Sequence, residues 1–329
     1  MAYETERAVA IEAVCKAATL CQRVRASLVT DEALAKKDRS PVTVADYGAQ
    51  AVVIAELMNA FPADPIVGEE STALLRGAQG DPVRRRVVEH VAAVRPDLDE
   101  ADVLAAIDRG AYEGGPQDRH WTLDPVDGTK GFLRGDQYAI ALALIEAGRV
   151  VLGVLGCPNL PVDAARPEEP CGCLFTAVCG QGATIRALND PAERPVRVTE
   201  VSDPGEARFC ESVEAGHSSH SDAARIAARL GVTRPPYRID SQCKYAAVAR
   251  GDASIYLRLP TRADYEEKIW DHAAGWSVVT EAGGKVTDIA GRPLDFSLGR
   301  TLSANTGVVA TNGRLHDEVI AAVTSVLTL

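Results

Sequence analysis

The chain opens with apolar residues at helical spacing. Over about the first thirty residues, positions three or four apart form one helix face, and these are Val9, Ala13, Ala17, Leu20 and Val24. A second helix is predicted over residues 44–60, with Thr43 as its N-cap and Asp46 in its first turn. A short apolar strand over residues 65–68 follows. The pattern of residues 81–109 then indicates two polar helices inserted at the surface.

From about residue 120 the pattern changes to strands. Apolar runs predict an antiparallel sheet with a hairpin turn at residues 146–149. The predicted strands cover residues 120–128, 137–148, 149–159 and 171–180. Polar residues 187–195 then mark a domain boundary.

Short helices and strands alternate beyond this boundary, which is typical of an α/β domain. The predicted helices and strands cover residues 207–211, 221–230, 253–257, 270–282 and 308–310. The sequence therefore predicts an N-terminal α+β domain over residues 1–195 and a C-terminal α/β domain over residues 196–329.

Composition and charge narrow the classes of function. With 46% hydrophobic and 25% charged residues, the 329-residue chain has the composition of a folded globular protein. Its 46 acidic and 35 basic residues give a net charge of −11, which disfavours nucleic acids and anionic membranes as partners. A protein of this charge that handles an anionic small molecule needs a local positive field, which bound divalent cations commonly supply.

The apolar runs are also much shorter than the roughly 20 residues of a membrane helix. The N-terminal segment lacks a signal-peptide core, and eight cysteines are too few for a disulfide scaffold. We therefore expect a soluble intracellular protein. It would be cytoplasmic as given, or would belong to a chloroplast or mitochondrion if a transit peptide has been removed.

The segment DPVDGTKGF, residues 124–132, contains the strongest chemical signal. Asp124 and Asp127 follow an apolar strand and precede Gly128, Thr129 and a predicted helix. Such a turn can direct both carboxylates and the Val126 carbonyl at one magnesium ion, with the Gly128 and Thr129 amides facing a phosphate. An isolated DPxDG segment is more often a turn with aspartate caps.

Further acids occur in matching contexts. Glu69 ends a strand in the segment GEES. Asp46 lies in the first turn of a helix, and Asp271 begins another helix in WDHAAG. Taken singly, Asp46 and Asp271 could cap helices and Glu69 could be solvated.

Together, GEES, DPVDGTKGF and WDHAAG resemble the inositol monophosphatase superfamily of magnesium-dependent, lithium-sensitive phosphatases. Within it, the chain resembles the plant-type 3′(2′),5′-bisphosphate nucleotidases from about residue 3 to the C-terminus. The segments that carry this resemblance include SPVTVADYGAQ, RHWTLDPVDGTKGFLRGDQYA, CPNLP, GHSSH, RIDSQCKY, IYLRLP and EKIWDHAAG. The long interval between Glu69 and Asp124 also favours this subgroup. The resemblance implies a layered αβαβα sandwich with the site between the two domains.

The resemblance also implies a metal set and a nucleophile. One magnesium ion would be held by Glu69, Asp124 and the Val126 carbonyl, and a second by Asp124, Asp127 and Asp271. Asp46 and Glu69 would frame a third. The nucleophile would be a water molecule whose proton passes to Asp46 paired with Thr129. Lithium would inhibit, with sodium and calcium as further candidate inhibitors.

The implied substrate is adenosine 3′,5′-bisphosphate, hydrolysed to AMP and phosphate. Phosphoadenosine phosphosulfate would be a second substrate, which places the activity in sulfur metabolism. The matching positions imply that the substrate is contacted by Gly128, Thr129, His217, Ser241, Lys244, Arg258 and Asp271. Without the resemblance, His217 and Arg258 are better interpreted as solvated surface residues, and Lys244 is undecided. An inositol polyphosphate 1-phosphatase and a non-catalytic sensor of the same nucleotide are the alternatives.

The cysteines suggest one further hypothesis. Cys157 ends one predicted strand, and Cys171 and Cys173 begin the next, so thiols from neighbouring strands could meet. A reversible disulfide and buried unpaired thiols are both consistent with this spacing. The expected assembly is a monomer or a redox-dependent dimer.

Overall fold

Five layers of helices and sheets build the protein, in the order helix, sheet, helix, sheet, helix. The layers are seen in a computed structural model. It describes residues 2–31, 40–77, 79–117, 119–166, 171–213, 219–262 and 264–327. The layered αβαβα sandwich expected from the sequence is therefore confirmed.

The helices of the described residues are α1 (Glu4–Asp31), α2 (Ser40–Ala60), α3 (Asp81–Ala92), α4 (Glu100–Asp108), α5 (Thr129–Arg134), α6 (His220–Arg229), α7 (Cys243–Arg250), α8 (Ala273–Glu281) and α9 (His316–Leu327). The strands are β1 (Ile66–Gly68), β2 (Arg119–Asp127), β3 (Ala139–Glu146), β4 (Arg149–Pro161), β5 (Cys171–Val178), β6 (Gly182–Ala187), β7 (Arg194–Pro195), β8 (Phe209–Glu211), β9 (Tyr237–Arg238), β10 (Ile255–Arg258), β11 (Lys285–Thr287) and β12 (Val308–Thr311).

The first sheet has seven strands in chain order, β1 to β7. β1 runs parallel to β2, and every later neighbour pair is antiparallel. Ala147 and Gly148, with φ of 48° and 73°, form the two-residue turn between β3 and β4. Two positive φ values match the right-handed twist of the flanking strands.

Helices α1 and α2 cover one face of this sheet. Helices α3 and α4 pack on α2 and add Val87, Val91, Val103 and Ile107 to the same core. Residues 81–109 were expected to form two polar helices inserted at the surface. That expectation was wrong for the sides of α3 and α4 that face α2, because those sides are apolar and buried. The outer face is polar, and on each helix the two named apolar side chains are four residues apart, which places them on one face.

The second sheet has five strands in the order β11, β12, β10, β8 and β9. Helices α7 and α8 lie between the two sheets, and α6 and α9 cover the outer face of the second. One core cluster joins residues of β4 and β5 with residues of α8 and β12. The two sheets thus share a core, and a division into domains at residue 195 stays a prediction.

Two helix starts differ from the sequence expectation. Helix α2 begins at Ser40, so Thr43 lies inside it and is not its N-cap. Pro41 permits this earlier start because a proline in the first helical turn forfeits no hydrogen bond. Asp271 was expected to open a helix, but it closes the 3₁₀ turn Ile269–Asp271, and α8 begins at Ala273.

No helix in the described ranges combines the length and the apolar character needed to cross a bilayer.

Candidate active site

The segment after β2 forms the first part of the site. The register between β2 and β3 shifts between Asp124 and Asp127, which marks a bulge. Both carboxylates line one cavity. Gly128 then adopts φ of 90°, and a Cβ atom there would lie 2.8 Å from the Cβ of Ser241. Only glycine combines this backbone conformation with so close an approach, which explains the glycine of the DPVDG turn.

A third carboxylate comes from the end of the neighbouring strand. Because β1 and β2 are parallel, their carboxyl ends lie side by side, and Glu69 directly follows β1. Gln50 of α2 fixes the backbone here. Its Nε2 donates to the Glu70 carbonyl at 2.7 Å, and its Oε1 accepts from the Glu70 amide at 3.0 Å. Gln50 was not predicted from the sequence, where its only signal is a polar side chain within the apolar middle of α2.

Residues from both sheets line a cavity of about 240 Å³. It collects most of the side chains expected to bind metal and substrate, namely Glu69, Asp124, Val126, Asp127, Gly128, Thr129, Ser241, Lys244, Arg258 and Asp271. Four of these are carboxylates and two are cations. The cavity therefore combines an acidic cluster with positive charge, as the binding of a phosphate ester through metal ions requires.

The carboxylates strongly perturb one another. Asp124 is 2% exposed, and burial, followed by the charges of Glu69, Asp127 and Asp271, raises its pKa well above the usual range. Desolvation and then the charge of Asp271 raise the pKa of Glu69 to about 8. Burial also raises the pKa of Asp271, although the Arg258 guanidinium opposes this. So many acids crowded together are unfavourable unless a cation compensates their charge.

One atom indicates where such a cation fits. The Oδ1 atom of Asp124 is buried and has no hydrogen-bond partner among the described residues. Buried carboxylate oxygens are nearly always bonded, so an unpartnered one between other carboxylates indicates a missing ligand. Magnesium prefers oxygen donors of this kind. The residues present therefore fit a magnesium site.

The described residues show no hydrogen bond between the expected pair of Asp46 and Thr129. Asp46 is 6% exposed, and burial, followed by the charges of Glu70 and Glu69, raises its pKa. It thus adjoins the acidic cluster. Thr129 lines the cavity at the start of α5, but no hydrogen bond joins it to Asp46 in the part of the chain described.

The two expected substrate cations have different surroundings. Lys244 of α7 is 5% exposed and makes no ion pair with any described residue, and its ammonium lies 5.4 Å from the Tyr256 ring centroid. Arg258 of β10 is already paired. Its Nε lies 2.7 Å from Glu267, and its Nη2 lies 3.2 Å from Asp271. Of these two cations, Lys244 is thus the one whose buried charge is less compensated, and it gains more from a bound anion.

Ser241 and Gln242, which directly precede α7, connect two parts of the site by hydrogen bonds. Ser241 has φ of 64°, and its hydroxyl donates to the Asp240 carbonyl at 2.6 Å. The backbone amide of Gln242 donates to Asp127. The Gln242 side chain donates to the Trp270 carbonyl at 2.9 Å, which links the segment to the turn that bears Asp271. Sequence reasoning missed Gln242.

His217, a further expected substrate contact, lies outside the described residues. The structure therefore tests neither its position nor its partners.

Two of the three cysteines of the disulfide hypothesis are neighbours in the sheet. Cys157 and Cys173 pair directly across β4 and β5, and both are free and fully buried. Hydrogen bonding with Cys173 and Cys243, and then burial, raises the pKa of Cys157. Because the thiolate is the reactive form, this environment slows oxidation. Cys171 lies opposite Pro161, and a disulfide among these thiols stays a prediction.

The sequence of the chain is similar to those of known phosphatases. The model of the inositol monophosphatase family matches residues 2–328. The chain is 46% identical over 341 residues to a 3′(2′),5′-bisphosphate nucleotidase of Schizosaccharomyces pombe, covering 99% of this chain and 97% of that relative. It is 49% identical to 3′(2′),5′-bisphosphate nucleotidase 1 of Arabidopsis thaliana, covering 98% of this chain and 96% of that relative.

Solved structures agree on the fold. The inositol monophosphatase from Anabaena superposes with a TM-score of 0.62 at 22% sequence identity, covering 99% of this chain and 97% of that one. At this identity the likeness concerns the fold alone.

Proposed function

The chain belongs to the inositol monophosphatase family, and we propose that it is a magnesium-dependent phosphatase acting on adenosine 3′,5′-bisphosphate. It hydrolyses the 3′-phosphate and releases AMP and phosphate, a reaction supported by its likeness to relatives that are named 3′(2′),5′-bisphosphate nucleotidases. The observation that carries this proposal is the cavity itself. The carboxylates Glu69, Asp124, Asp127 and Asp271 and the cations Lys244 and Arg258 are among the residues that line one space of about 240 Å³.

Two or three magnesium ions would bind at the carboxylates. Glu69, Asp124, Asp127 and Asp271 provide side-chain oxygens, Val126 provides a carbonyl, and Asp46 lies beside Glu69. When bound, magnesium neutralises the phosphate and lowers the pKa of a water molecule. The crowded acids favour this binding because each added cation relieves the repulsion between them. We also propose inhibition by lithium, with sodium and calcium as further candidates.

The chain's own residues then handle the proton and the phosphate. Asp46 is the proposed acceptor of the proton of the attacking water, through the Thr129 hydroxyl. The two side chains must approach each other for this, since they are not bonded in the structure. The amides of Gly128 and Thr129, at the start of α5, are proposed to donate to the reacting phosphate. No covalent intermediate with the protein is required.

The second phosphate of the substrate is assigned to the cations. Lys244 is buried and has no ion-pair partner among the described residues, so a phosphate oxygen that reaches it replaces little hydration and gains a charged hydrogen bond. Arg258 and Ser241 are proposed to contact the same end of the substrate, and His217 the nucleoside. The 5′-phosphosulfate analogue would place its sulfated end at the same residues, so it is the proposed second substrate.

The products test this proposal. The purified protein is incubated with adenosine 3′,5′-bisphosphate and magnesium, and the nucleotide product is identified by chromatography. We expect AMP and one equivalent of phosphate, and no reaction after magnesium has been chelated. Release of adenosine 3′-phosphate, or undiminished turnover with chelator, would contradict the assignment.

A further inference from the structure

A chain of buried side chains leads from the space between the sheets to Arg258. The Tyr245 hydroxyl lies 2.7 Å from Nδ1 of His272, and Nε2 of His272 lies 3.1 Å from Oε2 of Glu267. The same oxygen of Glu267 lies 2.7 Å from Nε of Arg258. Tyr245, His272 and Glu267 are 1%, 0% and 4% exposed, and none of the three lines the acid-rich cavity.

The contacts along this chain of side chains assign a donor and an acceptor at each step. If Tyr245 donates to Nδ1 of His272, the other ring nitrogen carries the proton and donates to Glu267. Glu267 is buried, which raises its pKa. The hydrogen bond from His272 and the charge of Arg258 outweigh this and hold the pKa at about 2. Glu267 is thus a permanent, oriented negative charge behind the Arg258 guanidinium.

The orientation matters because Arg258 has a second carboxylate within reach. Its Nη2 lies 3.2 Å from Asp271, which lines the acidic cluster, and 3.4 Å from the Tyr265 hydroxyl. An arginine side chain is long and has many rotamers. Without the anchor at Nε, the closest remaining carboxylate would be Asp271, and the guanidinium would turn towards the acids that are needed for metal binding.

We propose that Glu267, held in place by His272 and Tyr245, is a positioning residue that fixes Arg258 for the non-reacting phosphate. It thereby sets the preference for a bisphosphate over a monophosphate. This inference rests on the proposed function. It adds three residues outside the cavity to the determinants of substrate choice, and they act only through Arg258.

Glu267→Gln tests this role because glutamine keeps the shape but removes the charge. We compare kinetics on adenosine 3′,5′-bisphosphate with kinetics on adenosine 3′-phosphate, which lacks the second phosphate. The expected result is a rise of at least tenfold in KM for the bisphosphate, with kcat and both constants for the monophosphate changed less than threefold. Tyr245→Phe, which removes one hydroxyl, should shift the same KM in the same direction by a smaller factor.

Glu266→Gln is the matched control, since Glu266 is the exposed neighbour and does not line the cavity. This variant should leave kcat and KM unchanged for both nucleotides. If Glu267→Gln lowers kcat/KM equally for the bisphosphate and the monophosphate, the inference is overturned. An unchanged KM for the bisphosphate would overturn it as well. If Glu267→Gln does not fold, Tyr245→Phe decides by the same comparison.

Failure of the proposed function can be distinguished from failure of this inference. Wild-type protein that hydrolyses neither nucleotide would reject the activity. The inference is then decided by calorimetric binding of the two nucleotides. Weaker binding of the bisphosphate alone to Glu267→Gln supports it, and equal binding, or no binding by the wild type, rejects it.

Discussion

Replacing Lys244 by methionine removes one cation from the cavity while an unbranched side chain keeps its place. Lys244 is 5% exposed and packs over the Tyr256 ring, and methionine can preserve that packing. Burial lowers the pKa of Lys244, and the charge of Asp127 opposes this shift. The ammonium is therefore poorly hydrated, and an incoming phosphate should interact with it strongly.

The size of the effect follows from the charged hydrogen bond that is lost. Such bonds contribute about 1.5–3 kcal/mol, which corresponds to a loss of roughly 10- to 150-fold in kcat/KM. The loss should appear with adenosine 3′,5′-bisphosphate and be much smaller with adenosine 3′-phosphate. Initial rates of phosphate release on both nucleotides measure the difference. Lys285→Met is the control, because Lys285 is half-exposed, pairs with Asp317 and does not line the cavity.

Two results would contradict this role of Lys244. An equal loss on both nucleotides would mean that Lys244 supports the reacting phosphate or the fold. An unchanged rate on the bisphosphate would mean that its second phosphate binds elsewhere.

Three further predictions concern the acids and the thiols. Asp127→Asn should abolish phosphate release while circular dichroism stays unchanged, because the variant removes a charge needed for metal binding; near-normal turnover would reject the metal assignment. The metal-free protein should lose thermal stability as pH rises from about 4.5 to about 8, because the pKa of Glu69 is raised to about 8 and folded protein binds more protons than unfolded protein over that range. Magnesium should therefore raise the melting temperature more at pH 8 than at pH 5.5, and an equal rise at both would contradict the repulsion between the carboxylates. A disulfide between Cys157 and Cys173 should remove two free thiols on oxidation and change turnover, and Cys157→Ala should prevent both effects; identical thiol counts and activity in reduced and oxidised protein would reject the switch.

The fold was predictable wherever local patterns decide structure. The apolar spacing of α1 and the strand runs of β2 to β5 specify elements without knowledge of their neighbours. Helices α7 and α9 were not predicted. Helix α7 is a short helix buried along its whole length from Cys243 to Ala249, so it has no polar face to give a helical period.

The site was predictable where a motif places several groups on one loop. Asp124 and Asp127 come from a single turn, and Glu69 follows the adjacent parallel strand. The contact between Arg258 and Glu267 was not predictable in the same way, because it depends on how β10 meets the turn before α8. Spacing along the chain does not encode such tertiary pairing.

We propose that the protein hydrolyses a bisphosphate nucleotide in this cavity with magnesium. The decisive experiment measures phosphate release from adenosine 3′,5′-bisphosphate and from inositol 1,4-bisphosphate side by side, with and without lithium. We predict lithium-inhibited release that strongly favours the nucleotide. A preference for the inositol substrate would contradict the roles given to Lys244 and Arg258, and tight nucleotide binding without release from either substrate would indicate a sensor.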